Sequence, residues 1–545
     1  MSSTWISLAA LVALVPTVHK RLQLSRAKHR SLAGHSRLAK LLARWLPGYH
    51  FDEQTFFKCD NAPYEIQNIR REAFYRLAYI LKTKHPLSIQ ASIQAQKGIS
   101  DLKFISAYRV PFQFSPMVQE NLKIGSFLQS ASGVQVTDLD GYSFYDLTGS
   151  YGVNVFGADF YKSTMAKGMA MTENLGATLG VYHPCVATNV ERLKKISGMD
   201  EVSFHMSGTE AVMQAVRLAR YQNRRKYIVR FCGAYHGWWE DVQPGPGNPM
   251  PPRETYTLSE MSERSLTVLR NRKDIACVLI NPLQALHPNM NAPSDSTLVD
   301  SSRRARFDRS AYTEWLKKLR ETCTANGIAL IFDEVFMGFR LAEGGAQAYF
   351  DVQADMVTYG KTLGGGFPIG VVCGKQQWMR RFHPKHPADI CFARGTFKEH
   401  PAVMGAMSAF LDALESPEVK SLYDNLDGTW NKRRVLFNDT MKANDIPLHA
   451  ENLSSVWTIL YTTPSRYNWM LQYYLRVNGL ALSWVGTGRL IFSLNYSDSD
   501  FEEVLRRFVV SAKQMKSDGW WWHAPELTNK KIRRSILEET LFHPK

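Results

Sequence analysis

Between residues 200 and 375 short apolar runs take turns with longer helical stretches, and that alternation restricts the architecture to one class. KYIVRF (226–231), IACVLIN (275–281), IALIFDEV (328–335) and DMVTY (355–359) have the length and apolar content of buried strands. EAVMQAVRLARY and SAYTEWLKKLRETCTANG have helical periodicity, the second ending at an Asn326-Gly327 C-cap. Strands separated by helices imply a doubly wound, mostly parallel α/β sheet, whose ligands sit beyond the strands' carboxyl ends.

The 545 residues exceed one ordinary domain. Residues 52–132 read as a helical lead-in, with EIQNIRREAFYRLAYILKTKHP closing at a proline. GVQVTDLDGYSFYDL (133–147) reads as two strands joined at Asp140-Gly141, opening a large domain over 133–400. A helix and a mixed β/α stretch make 401–519 a smaller C-terminal α/β domain, followed by a basic, aromatic tail over 520–545.

Seven cysteines stand singly with no C-x-x-C pair, which argues for free thiols and against a disulfide framework or a zinc site, so no metal is expected. The net charge is +16, but residues 1–51 contain no Asp or Glu and hold eight basic residues, half of that excess. The rest is mildly basic, so a nucleic-acid partner is not implied.

The acid-free segment opens with an uncharged apolar run, WISLAALVALVPTV (5–18), too short for a spanning helix. SRLAKLLARW (36–45) then places Leu38, Leu41, Leu42 and Trp45 on one helical face. Three readings fit: a helix packed on the protein's own body, membrane-surface attachment, or a transit peptide. The positive flank favours a cytoplasmic location for the main body, peripheral to a membrane under the second reading. The tail WWWHAPELTNKKIRRSILEETLF has two readings, a lipid-interface segment or a helix capping the small domain.

Four elements at strand ends carry chemistry. Ser207-Gly208-Thr209 opens a helix, where backbone N–H groups and two hydroxyls suit a phosphate, though the same residues make an ordinary N-cap. Asp333 ends an apolar strand and needs a buried partner, either a protonated heterocycle or a structural cation. Lys361, in TYGKTLGGGFPIG, follows a strand and precedes three glycines. A nucleotide P-loop is excluded because Asp355 stands where that motif needs a glycine, which leaves Lys361 as a candidate Schiff-base amine. Tyr235-His236-Gly237 supplies an aromatic able to cover a flat ring, or a plain loop aromatic.

These blocks, FHMSGTEAVMQAVRLAR, GAYHGW, LIFDEVFMGFR, GGAQAYF and YGKTLGGGFPIG, with RGTFKEHPAVMGA, resemble class III aminotransferases in collinear order over roughly 105–515. Within that family the chain most resembles the glutamate-1-semialdehyde aminomutase-like proteins. The resemblance implies a pyridoxal-phosphate (PLP) dependent transferase of fold type I. It implies that Lys361 carries pyridoxal 5'-phosphate as a Schiff base and moves protons, and that Asp333 pairs with the pyridine nitrogen. It further implies that Tyr235 stacks on the ring beside His236, that Ser207, Gly208 and Thr209 hold the phosphate, and that Gln284 lies near the ring oxygen. Thr396 matches a threonine reaching the neighbouring subunit's phosphate, so a homodimer with shared sites is expected.

Several departures bear on substrate. Asn281-Pro282 stands where relatives read Glu-Pro. No arginine matches the aminomutase's carboxylate-binding position, Arg109 being near but displaced, and Gly488, beside Arg489, replaces an acid. Tyr151 stands where the aminomutase has tryptophan. Arg109, Tyr151 and Arg489 are therefore the candidate substrate residues. The pattern favours an aminotransferase passing an amino group from an amino acid to a larger, lipid-like aldehyde or ketone. A 2,1-aminomutase and a PLP-binding protein without turnover are the alternatives.

Overall fold

The computed structural model describes residues 3–27, 41, 44–243, 247–250, 253–286, 301, 304–482 and 488–542, with side chains from residue 14 onward. Two compact units emerge. The first comprises Met1–Arg44, Thr164–Ala292 and Asp308–Glu415; the second comprises Trp45–Ser163, Pro293–Phe307 and Ser416–Lys545.

The first unit is built on a seven-stranded sheet: β1 (Glu201–His205), β2 (Tyr227–Phe231), β3 (Thr255–Leu258), β4 (Ile275–Ile280), β5 (Ala329–Asp333), β6 (Met356–Gly360) and β7 (Gly370–Gly374). Its order is β1-β7-β6-β5-β4-β2-β3. Only β7 runs antiparallel, to β1 and β6; the pairs from β3 through β6 are parallel. This is the expected mostly parallel α/β sheet. β4, β5 and β6 are buried at every position, as central strands covered on both faces must be.

The helix Gly208–Asn223 shows how sequence sets packing here. Its Ala211, Ala215, Leu218 and Ala219 recur at helical spacing and pack with Cys277, Leu279, Ala329, Ile331 and Val372 of the sheet. Ser207 starts the helix by accepting a hydrogen bond from Glu210 N, and Arg224 ends it in the left-handed region. The small residues let helix and sheet approach closely, which fixes the height of the helix N-terminus above the strand ends.

The second unit holds the helical lead-in (Glu53–Lys58, Tyr64–Lys84, Pro86–Gln96 and Ser100–Tyr108), a four-stranded sheet and a three-stranded antiparallel sheet. The expected hairpin forms between Gln135–Asp138 and Ser143–Asp146. The unit boundaries differ from linear division at 133 and 401. Residues 133–163 belong with 416–545 because Leu480 and Ala481 pair in parallel with Tyr145 and Asp146.

The tail's tryptophans are not a lipid-facing cluster. Trp520 is fully buried and donates from Nε1 to Tyr474 Oη at 2.8 Å, and Trp521 donates to Asn468 Oδ1 at 3.0 Å. The helix Asn529–Phe542 follows, with Ile532 buried and Glu539 paired to Arg466. Burial of indoles with satisfied N–H groups is what an internal cap requires. His85, Asp138 and Asp140 bring ligand-type atoms within 4.8 Å of one another, yet the pair His85–Asp138 and the amides of Leu87, Ser88, Asp140 and Tyr142 already engage them. No described helix is long and apolar enough to cross a membrane. Most of the amphipathic stretch 36–45 lies outside the described residues.

Candidate active site

All the residues expected around the cofactor fall in the first unit, and all but Thr396 lie at or just past the carboxyl ends of strands of its seven-stranded sheet. Asp333 is the last residue of β5, Lys361 follows β6, Ser207 follows β1, and Tyr235 and Gln284 follow β2 and β4.

Asp333 is 3% exposed, and its ion-pair partner is His236. His236, 1% exposed, donates from Nδ1 to Asp333 Oδ2 at 2.7 Å. Asp333 Oδ1 accepts from Thr358 Oγ1 and from Val335 N, each at 3.2 Å. Asp333 and Thr358 are register partners on neighbouring strands, which places that hydroxyl. With Nδ1 committed, His236 Nε2 is buried and without a partner among the described residues.

Lys361 takes φ +47°, a left-handed conformation costly for a side chain with a Cβ. Burial pushes its amine below the usual lysine range; Asp333 opposes this and Arg340 adds to it. The Nζ lies 5.8 Å from the Phe336 ring centroid. A desolvated amine of this kind is a better nucleophile and base at neutral pH than a surface lysine.

The glycines make room. A Cβ on Gly208 would come within 2.4 Å of Val335, and one on Gly360 within 2.9 Å of Ile369 O. Gly237 has φ +101°, and a Cβ there would meet Thr209 Oγ1 at 2.6 Å, so the Tyr235–Gly237 turn lies against the helix opening at Gly208. Asn281 anchors that turn by donating to Tyr235 O at 3.2 Å. Gln284 donates to Cys232 O at 3.1 Å, while its Oε1 is buried and unpartnered among the described residues. Tyr235 is 57% exposed, and burial of the remainder, then Asp333, raises its phenol pKa. Thr396 is exposed on the loop after the strand His386–Ile390.

Arg109, Tyr151 and Arg489 belong to the second unit. Burial lowers the Arg109 pKa, and Tyr473 and Tyr151 are the groups that counter it, so Arg109 and Tyr151 are neighbours. Arg489 lines a cavity with Trp469, Gln472 and Phe508.

Sequence reasoning missed Thr358, Phe336, Arg340 and Glu334. Thr358 carried a usable signal: it is the one polar residue in the interior of an otherwise apolar strand.

The residues present fit a flat, phosphate-bearing cofactor: a buried carboxylate braced on one side, an adjacent desolvated lysine, two buried polar atoms without partners, and a glycine-lined helix N-terminus. The profile described as aminotransferase class-III matches residues 117–241 and 307–437. A glutamate-1-semialdehyde 2,1-aminomutase of Methanosphaera stadtmanae is 31% identical over 359 residues, covering 63% of this chain and 78% of the relative. Another, from Alkaliphilus oremlandii, is 29% identical over 418 residues, covering 72% and 92%. A solved transaminase with PLP bound is 25% identical with a TM-score of 0.61, covering 77% of this chain and 99% of its own. The chain belongs to the class III aminotransferase family. It is a PLP-dependent enzyme of fold type I.

Proposed function

We propose that the protein is an aminotransferase moving an amino group from an amino-acid donor to an aldehyde or ketone acceptor larger and more apolar than a semialdehyde. The observation that carries this reading is the desolvated Lys361 beside the His236–Asp333 pair at adjacent strand ends.

PLP, when bound, supplies a ring that absorbs the negative charge left on a substrate carbon after deprotonation. The chain's residues do the rest. Asp333 would meet the pyridine nitrogen, and His236, Thr358 and Val335 N fix its carboxylate in one orientation. Lys361 would hold the cofactor, release it to the incoming donor, and then carry a proton between substrate and cofactor carbons as general base and acid. Burial, with Arg340 adding to it, favours the neutral form of the freed amine, the form that accepts a proton. Ser207, Gly208 and Thr209 would receive the phosphate on the helix N-terminus, with Tyr235 over the ring and Gln284 Oε1 towards the ring's oxygen. Thr396, exposed on its own chain, would serve the phosphate of a second subunit in a homodimer.

A second reading, the 2,1-aminomutase, is favoured by the names of the relatives and by Arg109, whose half-buried side chain near Tyr151 and Tyr473 suits a carboxylate. One titration separates them. Purified holoenzyme is exposed to single amino acids while its visible absorbance is followed, then to candidate aldehydes. Bleaching by a donor and recovery by an apolar aldehyde, with donor consumed one for one, is the expected result. Turnover of a semialdehyde with no external donor consumed would replace it with the aminomutase.

A further inference from the structure

Among the described side chains, the helix Ser3–Ala27 is hydrogen-bonded to the rest of the first unit near its end. Ala27, 1% exposed, accepts at its carbonyl from Ser259 N at 2.8 Å and from Ser259 Oγ at 2.9 Å. Asn271 donates to Gln23 Oε1 at 3.1 Å, and Arg264 to Arg26 O at 3.4 Å. Before that anchor every residue from 14 to 22 is exposed. Leu14, Val15, Val18 and Leu22 show 58%, 59%, 52% and 49% of their surface, with 14, 18 and 22 in one row along the helix. In sequence the same helix is uncharged from Trp5 to Val18.

A helix with an apolar sequence whose side chains stand exposed from residue 14 to residue 22 is not packed onto its own protein along that stretch. A patch of this kind marks an interaction site. Its charge says which. Lys20 and Arg21 follow the apolar run directly, and residues 1–51 carry eight basic residues and no acidic one. A second copy laid parallel along this helix would set those cations side by side, whereas an anionic surface neutralises them. At ~1.5 Å per residue the run 5–18 is ~21 Å long, short of the ~30 Å hydrocarbon core. It can embed in one leaflet and does not reach across, in keeping with the absence of a spanning helix among the described residues.

We propose that the helix Ser3–Ala27 seats the protein on an anionic lipid surface, apolar run in the leaflet and Lys20 and Arg21 among the headgroups. The inference is independent of the reaction assigned above. The test is flotation of the full-length holoenzyme with phosphatidylcholine vesicles, with and without phosphatidylserine. Co-flotation only with the anionic vesicles is expected, with roughly thirtyfold weaker binding for Lys20→Gln with Arg21→Gln. Leu14→Asp, Val18→Asp and Leu22→Asp together should abolish flotation while visible cofactor absorbance stays unchanged, since these side chains are exposed. Wild-type protein left in the soluble fraction, or a triple variant that floats as wild type does, overturns the proposal. So does a triple variant that changes oligomeric size without lipid, because the face would then belong to a second copy.

Discussion

Two buried charge clusters in this molecule look alike in composition and differ in how completely they are satisfied. In the second unit Arg70 is fully buried, and its Nε donates to Gly519 O, Nη1 to Phe57 O and Asp60 Oδ1, and Nη2 to Asp60 Oδ2. Its guanidinium lies 4.4 Å from the Tyr467 ring centroid. In the first unit Asp333 and His236 are equally buried, yet His236 Nε2, Gln284 Oε1, Glu334 Oε1 and Tyr359 Oη have no partner among the described residues. A buried polar atom left unpaired costs ~1–3 kcal/mol, so the first arrangement is satisfied as it stands and the second has polar capacity that the proposed cofactor would fill. Burial alone does not separate these two clusters; their unmet hydrogen-bonding capacity does.

The sharpest way to break the comparison is to empty the functional cluster. Lys361→Ala should lower turnover by ~10⁴-fold, the upper end of what a positioned proton-transfer group contributes, with little change in unfolding midpoint. Turnover within tenfold of wild type would remove Lys361 from the chemistry. The structural cluster should fail in the opposite way. Arg70→Met strands Asp60 and should cost ~3–5 kcal/mol in chemical denaturation, while the protein that remains folded keeps its cofactor absorbance. An unchanged midpoint would show the knot to be dispensable.

Glu334 sharpens the contrast through pH. Burial raises its carboxyl from 4.5 to about 8, partly offset by the amides of Ala346 and Gln347, with Asp333 adding to the rise. The folded state therefore binds the proton more tightly than the unfolded state. Its stabilising contribution is complete below the unfolded value and is lost as pH climbs from about 4.5 to about 8. Glu334→Gln, measured at both ends of that window, should be relatively more stable than wild type at the upper end, by a few kcal/mol at most. Parallel pH profiles would refute the assignment. The smallest effect belongs to His236→Asn, which removes the brace on Asp333 and should weaken cofactor retention by ~10-fold. Equal retention in dialysis would show that Asp333 needs no brace.

Much of this was legible because the chemistry sits where short apolar runs end. The runs at 226–231, 275–281, 328–335 and 355–359 correspond to β2, β4, β5 and β6. β1 was missed because Glu201 is exposed and Val202 and Ser203 are only half-buried, and β3 because four residues give little periodicity. β7 was missed because glycines bracket it; Gly370 lies so close to Ser207 O that a Cβ would approach within 1.9 Å. The His236–Asp333 bond joins residues 97 apart, and only strand order brings them together. The unit boundary depends likewise on pairing of Leu480 with Tyr145. A tryptophan run reads the same from sequence whether it meets lipid or a core, so the burial of Trp520 and Trp521 needed three dimensions.

The account rests on Lys361 as the residue that holds the cofactor, and borohydride reduction of the holoenzyme followed by peptide mass spectrometry tests that directly. The pyridoxyl mass should be found on the peptide containing Lys361 and should be absent from Lys361→Ala. Its appearance on another lysine, or on none, would contradict the account.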